Sequence, residues 1–365
     1  MNKEVISDKQ GIAAIVLYMS GTSSMLVFGT VAEKDIWVAT ILAILMTLCI
    51  VLVFCHMHSM FPGKNLFDIC DICFGRFIGK GIIILYVWFA LHSGTLVGMN
   101  IYQFITETIL PATPNTAVFI LLLFLCSWIV KKGIEVIGRW SEFMIIPFII
   151  LVFTVILFFI PDMDINNIRP VLSKGMKPIL EGAFAVFSFP FGEIVIFTII
   201  FSDFKSNKSP YRIYIGGLFI AGIVVFITSL GTILYIGINS ASEPYYPIYE
   251  AVKRIDVGFI LQNLEPAVAV TFVLGGFLKV SIYLLATCKG VVSIFKLKDY
   301  RFIVIPIVLI MLNMSYFVHL NRVDYNKWNF EIFPYYAFLF EMILPIIIWI
   351  TAQIKFKKFK YKKSI

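Results

Sequence analysis

Ser188-Phe189-Pro190-Phe191-Gly192-Glu193 interrupts an otherwise apolar run that extends from Gly182 to Ser202. Proline removes a backbone N–H donor and clashes with the preceding turn. Gly192, two residues on, loosens a helix further. Glu193 then falls near the middle of a segment long enough to cross a bilayer, where a carboxylate is costly unless paired, protonated or wetted. The stretch fits an unwound segment whose free backbone groups and carboxylate face a ligand cavity. It also fits a proline kink with Glu193 bonded to a neighbouring helix.

The rest of the chain sets this break in a membrane. Of 365 residues, 60% are hydrophobic and 14% charged, with a mean hydropathy of +0.92. A soluble domain carries about a quarter charged residues, so too little polar surface exists to cover a globule in water. Phenylalanine alone supplies 36 residues. A hydrocarbon core about 30 Å thick needs about 20 mostly apolar residues per helix. Ten runs qualify: Gly11–Thr30, Ile36–Cys55, Gly81–Thr106, Thr108–Val130, Phe143–Pro161, Gly182–Ser202, Ile213–Ile238, Pro266–Cys288, Phe302–Val318 and Ile332–Ile354. In lipid, every backbone group must be satisfied within the chain, so these are expected to be helices. The expected architecture is an all-α polytopic membrane protein with residues 1–365 as one integral membrane domain.

Most of the 30 Lys and Arg fall in segments that share a side with the N-terminus. They include the basic tail of 355–365, with Lys355, Lys357, Lys358, Lys360, Lys362 and Lys363. The positive-inside rule therefore puts both termini in the cytoplasm. The net charge of +8 is accounted for by these loops and the tail, which favour anionic lipid rather than nucleic acid. Met1–Gln10 is polar and runs straight into the first span, which reads as an uncleaved start. Tyr245–Val252, in a long outer loop, is expected to form a short interfacial helix. Cys70 and Cys73 make a C-x-x-C with only His56 and His58 near in sequence. No metal site is expected there, and no cofactor anywhere. No nucleotide-binding loop or catalytic triad motif appears, and an enzyme is not expected.

Other polar residues lie inside spans. Gly21, Thr22, Ser23 and Ser24 sit in span one at a depth like that of the span-six break. Ten spans split into two fives make spans one and six equivalent, and paired interruptions in two halves point to a binding site. The halves are expected at 11–161 and 182–354. Lys279, in Gly275-Gly276-Phe277-Leu278-Lys279, either snorkels to the cytoplasmic face or stands inside, donating to carbonyls of an unwound first span. Thr95 and His92 in span three are candidates for the cavity wall, and Glu341 in span ten is a further buried acid.

Four pieces carry a family resemblance: Ile6-Ser7-Asp8-Lys9-Gln10 before span one, Phe61-Pro62-Gly63-Lys64-Asn65-Leu66 after span two, the span-six motif, and Leu264-Glu265-Pro266 running to Gly276-Phe277-Leu278-Lys279. In these the chain resembles the spore-germination permease family, the B subunits of germinant receptors, itself similar to the amino acid–polyamine–organocation (APC) superfamily transporters. The resemblance implies a LeuT-type 5+5 inverted repeat with broken helices one and six and a midplane ligand pocket between them. It implies a sensor in the spore inner membrane, partnered by an A subunit and a lipoprotein C subunit, that binds a small polar germinant such as an amino acid. On that view the ligand carboxylate meets free amides at Gly21–Ser24, where a second half-helix begins. Its ammonium meets carbonyls near Phe189–Phe191, including Pro190, and Glu193 beside Gly192. Phe187, Phe189 and Phe191 shape the side-chain pocket. Lys279 takes the place of a sodium ion. A proton-coupled amino-acid transporter and a silent scaffold are the alternatives.

Overall fold

The computed structural model describes residues 5–206, 208–255, 264–319 and 322–363. Almost all of it is helix: α1 (Asp8–Ser23), α2 (Ile36–Met60), α3 (Leu66–Phe104), α4 (Asn115–Lys132), α5 (Ile134–Phe159), α6 (Met176–Val186), α7 (Ile196–Ile200), α8 (Ser209–Ser242), α9 (Pro247–Val252), α10 (Glu265–Phe295), α11 (Val304–Phe317), α12 (Arg322–Lys327), α13 (Phe333–Phe338) and α14 (Leu344–Lys363). One parallel two-residue ladder pairs β1 (Val5–Ile6) with β2 (Asp203–Phe204), tying the entry of α1 to the exit of α7.

Among the described residues, eight helices are long and apolar enough to cross a membrane. The ten expected runs map onto these eight plus two shorter helices, α1 with 16 residues and α11 with 14. Sixteen residues reach about 24 Å, short of a full hydrocarbon core. Apolar side chains cover the outside, with Phe77, Phe317 and Phe143 strongly exposed. Such a surface suits lipid.

Three expectations need correction. α3 starts at Leu66, well before Gly81, because Asn65 caps it: its side chain accepts from the Asp68 amide while Asp68 reciprocates. Gly75, at φ +74°, then bends it, a conformation open mainly to glycine. Cys70 and Cys73 are buried in this helix as free thiols. Second, α9 does not lie on the surface. Pro247, Ile248, Tyr249, Ala251 and Val252 are buried, and the helix plugs the bundle beside α8 and α10. Third, span one does not continue as helix to Thr30. α1 stops at Ser23, and helical turns resume only at Thr30–Asp35 after Gly29 turns at φ +77°. The stop has a local cause. The Ser23 hydroxyl donates to Met19 O and that of Ser24 to Gly21 O, drawing carbonyls into side-chain bonds. The Ile248 amide donates to Met25 O, which fixes the chain beyond.

The core that positions the site is α1 packed between α8 and α10, with α3 along the other flank of α10. Gly21 and Gly275 make the α1–α10 approach possible. A Cβ built on Gly275 would stand 2.1 Å from Gly21 Cα.

Candidate functional site

The break forms where expected. Phe189 is extended (φ −145°, ψ 122°) between α6 and a tight turn, Gly192–Val195, that leads into α7. Pro190 offers no amide, and the Ser188 hydroxyl donates to Pro334 O at 3.1 Å, holding the break against α13. Glu193 therefore projects into the bundle from a segment whose backbone is not helically paired throughout.

Lys279 meets it there. Its Nζ forms an ion pair with Glu193 Oε2, and both side chains are buried. Tyr283, one turn further along α10, donates to Glu193 Oε1. Lys279 also reaches Thr22 Oγ1 at 3.4 Å, and its ammonium lies 3.8 Å above the Phe189 ring and 5.0 Å from the Tyr18 ring. The snorkelling alternative is thus excluded, and Lys279 stands inside. Its partner in span one is a hydroxyl rather than a row of carbonyls.

Gly21–Ser24 carry a different polarity from the one expected. They are the last turn of α1, and the Ser24 and Met25 amides both point back to Thr22 O. No second half-helix starts there. A helix C-terminus presents partial negative charge, so this end suits a cation such as the Lys279 ammonium and not a ligand carboxylate.

Above the ion pair lies a cavity of about 40 Å³, room for a few water molecules. Thr22, Phe189 and Glu193 line it, as expected. Lys279 lies beneath it. The remaining expected residues do not face it. Gly21 packs on Gly275. The Ser23 and Ser24 hydroxyls close the helix end. Thr95 is buried and donates to Leu91 O. Phe187 packs on Phe338. Pro190 and Phe191 are buried in the core. Gly192 lies under Glu341. His92 stacks on Trp88 and abuts Trp328 and Tyr336 instead.

The cavity wall also holds residues that the sequence did not single out. Ser93, Leu96, Val97 and Asn100 come from one face of α3, and Tyr325, Asn329 and Phe333 from the α12–α13 region. Both sets recur at helical spacing of three and four residues, which is the signal that marks them. Phe28, Tyr245 and Phe330 close the top: Phe28 lies 4.6 Å from the Phe189 ring and 6.1 Å from Phe330, and Tyr245 lies 6.0 Å from Phe330. Arg322 covers Tyr245 at 4.2 Å and donates to Gln103 (2.7 Å) and Glu107 (2.8 Å). Among the described residues no cluster of His, Cys, Asp or Glu could hold a metal ion.

A helical bundle with a broken span beside a small charged cavity is the architecture of an integral membrane protein with a transporter-like fold. The fold is shared with solved transporters of the LeuT type. One is the nucleobase–cation symporter Mhp1, closed with bromovinylhydantoin bound (TM-score 0.66, 15% identity, 91% of this chain and 74% of that chain). Another is a Na⁺-coupled sialic acid symporter (TM-score 0.64, 12% identity, 96% and 90%). Residues 5–323 match the family described as spore germination protein, and the chain belongs to that family, which is permease-like and not enzymatic. Spore germination protein KB of Bacillus subtilis (strain 168) is 25% identical over 368 residues, covering 100% of this chain and 99% of that relative.

Proposed function

We propose that this protein is the germinant-sensing membrane subunit of a spore germinant receptor and binds a small polar nutrient of the amino-acid class in the cavity above Glu193 and Lys279. The observation that carries this is the placement of a buried, ion-paired carboxylate on the wall of a small cavity, in the tight turn that follows the extended Phe189. A ligand ammonium meets Glu193 and the Thr22 hydroxyl, its polar remainder meets Ser93 and Asn100, and Phe28, Phe189, Phe330 and Phe333 enclose its apolar part. The ten-helix count, with two five-helix repeats at 11–161 and 182–354 and a cytoplasmic basic tail at 355–365, belongs to this proposal. So do cytoplasmic termini, the spore inner membrane, and an A subunit and lipoprotein C subunit as partners.

In its closed form the cavity is too small for an amino acid, so binding requires the aromatic cover to move. A ligand signals only through different affinity for the two forms, and a switch from 1:99 to 99:1 needs a difference of about 5.5 kcal/mol. Calorimetry on purified protein with a panel of amino acids, nucleosides and sugars tests the reading. An amino acid should bind wild type, with affinity lost in Glu193→Ala and reduced in Asn100→Ala. Binding unchanged in both variants removes the site assignment.

A proton-coupled amino-acid transporter is the second reading. It is favoured by the Lys279 ammonium at the negative end of α1, in a fold whose solved examples include cation-coupled symporters. Uptake into proteoliposomes without partner subunits, driven by a pH gradient, favours transport. Binding without uptake favours the sensor.

A further inference from the structure

Glu341 lies in a widened turn, Leu339–Ile343, between α13 and α14. Its side chain is wholly buried, and neither carboxyl oxygen has a hydrogen-bond partner. The titratable groups around it come from four elements. Glu193 in the break, Lys279 on α10, Tyr18 on α1 and Tyr86 on α3 are near enough to act on it electrostatically. Three of them are committed or repulsive. Tyr86 Oη donates to Phe340 O at 2.8 Å, Lys279 is held by Glu193 and Thr22, and Glu193 carries like charge. The Tyr18 hydroxyl remains, and it interacts with Tyr283. One buried lysine, paired with Glu193, thus serves two buried carboxyls. With both carboxyls ionised, this buried cluster would hold one uncompensated negative charge, an arrangement that proteins avoid by protonation.

We propose that Glu341 is a proton-binding site that neutralises this cluster and couples proton occupancy to the span-six break. The coupling is geometric. A Cβ on Gly192 would come within 2.2 Å of Glu341 Oε2, so the missing side chain at Gly192 is what lets the carboxyl rest on the break. When the proton leaves, Glu341 competes with Glu193 for Lys279, and the contact that fixes the break is weakened. A widened helical turn of this kind is frequent at functional positions. The proposal does not depend on which ligand binds, so its failure leaves the germinant-binding reading standing, and the reverse also holds.

Infrared spectroscopy of the full-length protein in nanodiscs tests it. At neutral pH the wild type should show a C=O stretch of a protonated carboxylic acid that shifts in D₂O, and Glu341→Gln should lose that band. A wild-type spectrum without the band, or a Glu341→Gln spectrum that keeps it, overturns the proposal. Thermal unfolding guards against a merely misfolded variant. Glu341→Gln, a neutral isostere, should melt no lower than wild type at neutral pH and should lose the fall in stability that the wild type shows as pH rises above about 4, where the unfolded carboxyl ionises but the folded one keeps its proton. A clear loss of stability at neutral pH would instead mark Glu341 as an ionised, paired carboxylate and overturn the assignment.

Discussion

Glu193 divides its two oxygens between a lysine and a tyrosine on α10, one turn apart. Burying both ions costs more desolvation than an exposed pair would, and the attraction between them offsets that cost only while both are present. Lys279 gains further from the rings of Phe189 and Tyr18, whose faces are negative. The physical consequence is non-additivity. Lys279→Met should destabilise the folded protein by about 3–5 kcal/mol, because it leaves Glu193 unmatched, and Glu193→Gln by less, because Glu341 can then ionise to match Lys279. The double variant should cost less than Lys279→Met alone. Equilibrium or thermal unfolding of the four proteins in one detergent measures this cycle, and simple addition of the two losses would show that the ions do not depend on each other. The intramembrane Glu and Lys were visible in the sequence because such residues are rare in spans. Their pairing was not, since Glu193 and Lys279 are remote in sequence and a long lysine can also reach the interface.

The end of α1 and the break after α6 meet α10 by different means. The break rests on side-chain chemistry, whereas α1 approaches through the absence of side chains at Gly21 and Gly275. Gly275→Ala places a methyl group against backbone rather than against a movable side chain, with 2.1 Å between its Cβ and Gly21 Cα. The helices must separate, and the expected loss is about 1–3 kcal/mol, read as a fall in Tm and in yield of monodisperse protein. An unchanged Tm would mean that α1 and α10 slide past each other freely. The break itself was legible from Pro190, Gly192 and Glu193, whose local effects on a helix are fixed by covalent structure. The matching feature in span one was legible only as a place. Ser23, Ser24 and Gly21 permit either a new helix start or a helix end, and the choice falls to contacts such as the Ile248 amide on Met25 O. Which face of α3 lines the cavity was illegible for a related reason. The helix is apolar nearly all round, so packing partners rather than any polar stripe decide where Ser93 and Asn100 point.

The cavity is closed at the end of the bundle away from the N-terminus, the outer side in the proposed orientation, by Phe28, Tyr245 and Phe330. Arg322 clasps that cover to Gln103 of α3 and to Glu107 in the helical turn that follows it. Opening must break the clasp and swing the aromatic rings apart, so the clasp sets part of the balance between closed and open forms. Charge-assisted hydrogen bonds are worth about 1.5–3 kcal/mol when shielded. Glu107 is half exposed (side-chain exposure 50%) and Arg322 partly so (25%), which lowers the expectation to about 1 kcal/mol. That corresponds to roughly a fivefold rise in the open population. Ser93→Cys supplies a reporter on the cavity wall. Of the native cysteines, only Cys49 is exposed, so Cys49→Ser removes the background. A membrane-impermeant thiol reagent applied from the outer side should label Ser93→Cys slowly, several-fold faster when Arg322→Gln is added, and faster still with Phe330→Ala, which removes the cover itself. Equal rates in all three proteins would mean that the reagent enters by another route and that the clasp and aromatic cover are not the gate to the Glu193–Lys279 floor.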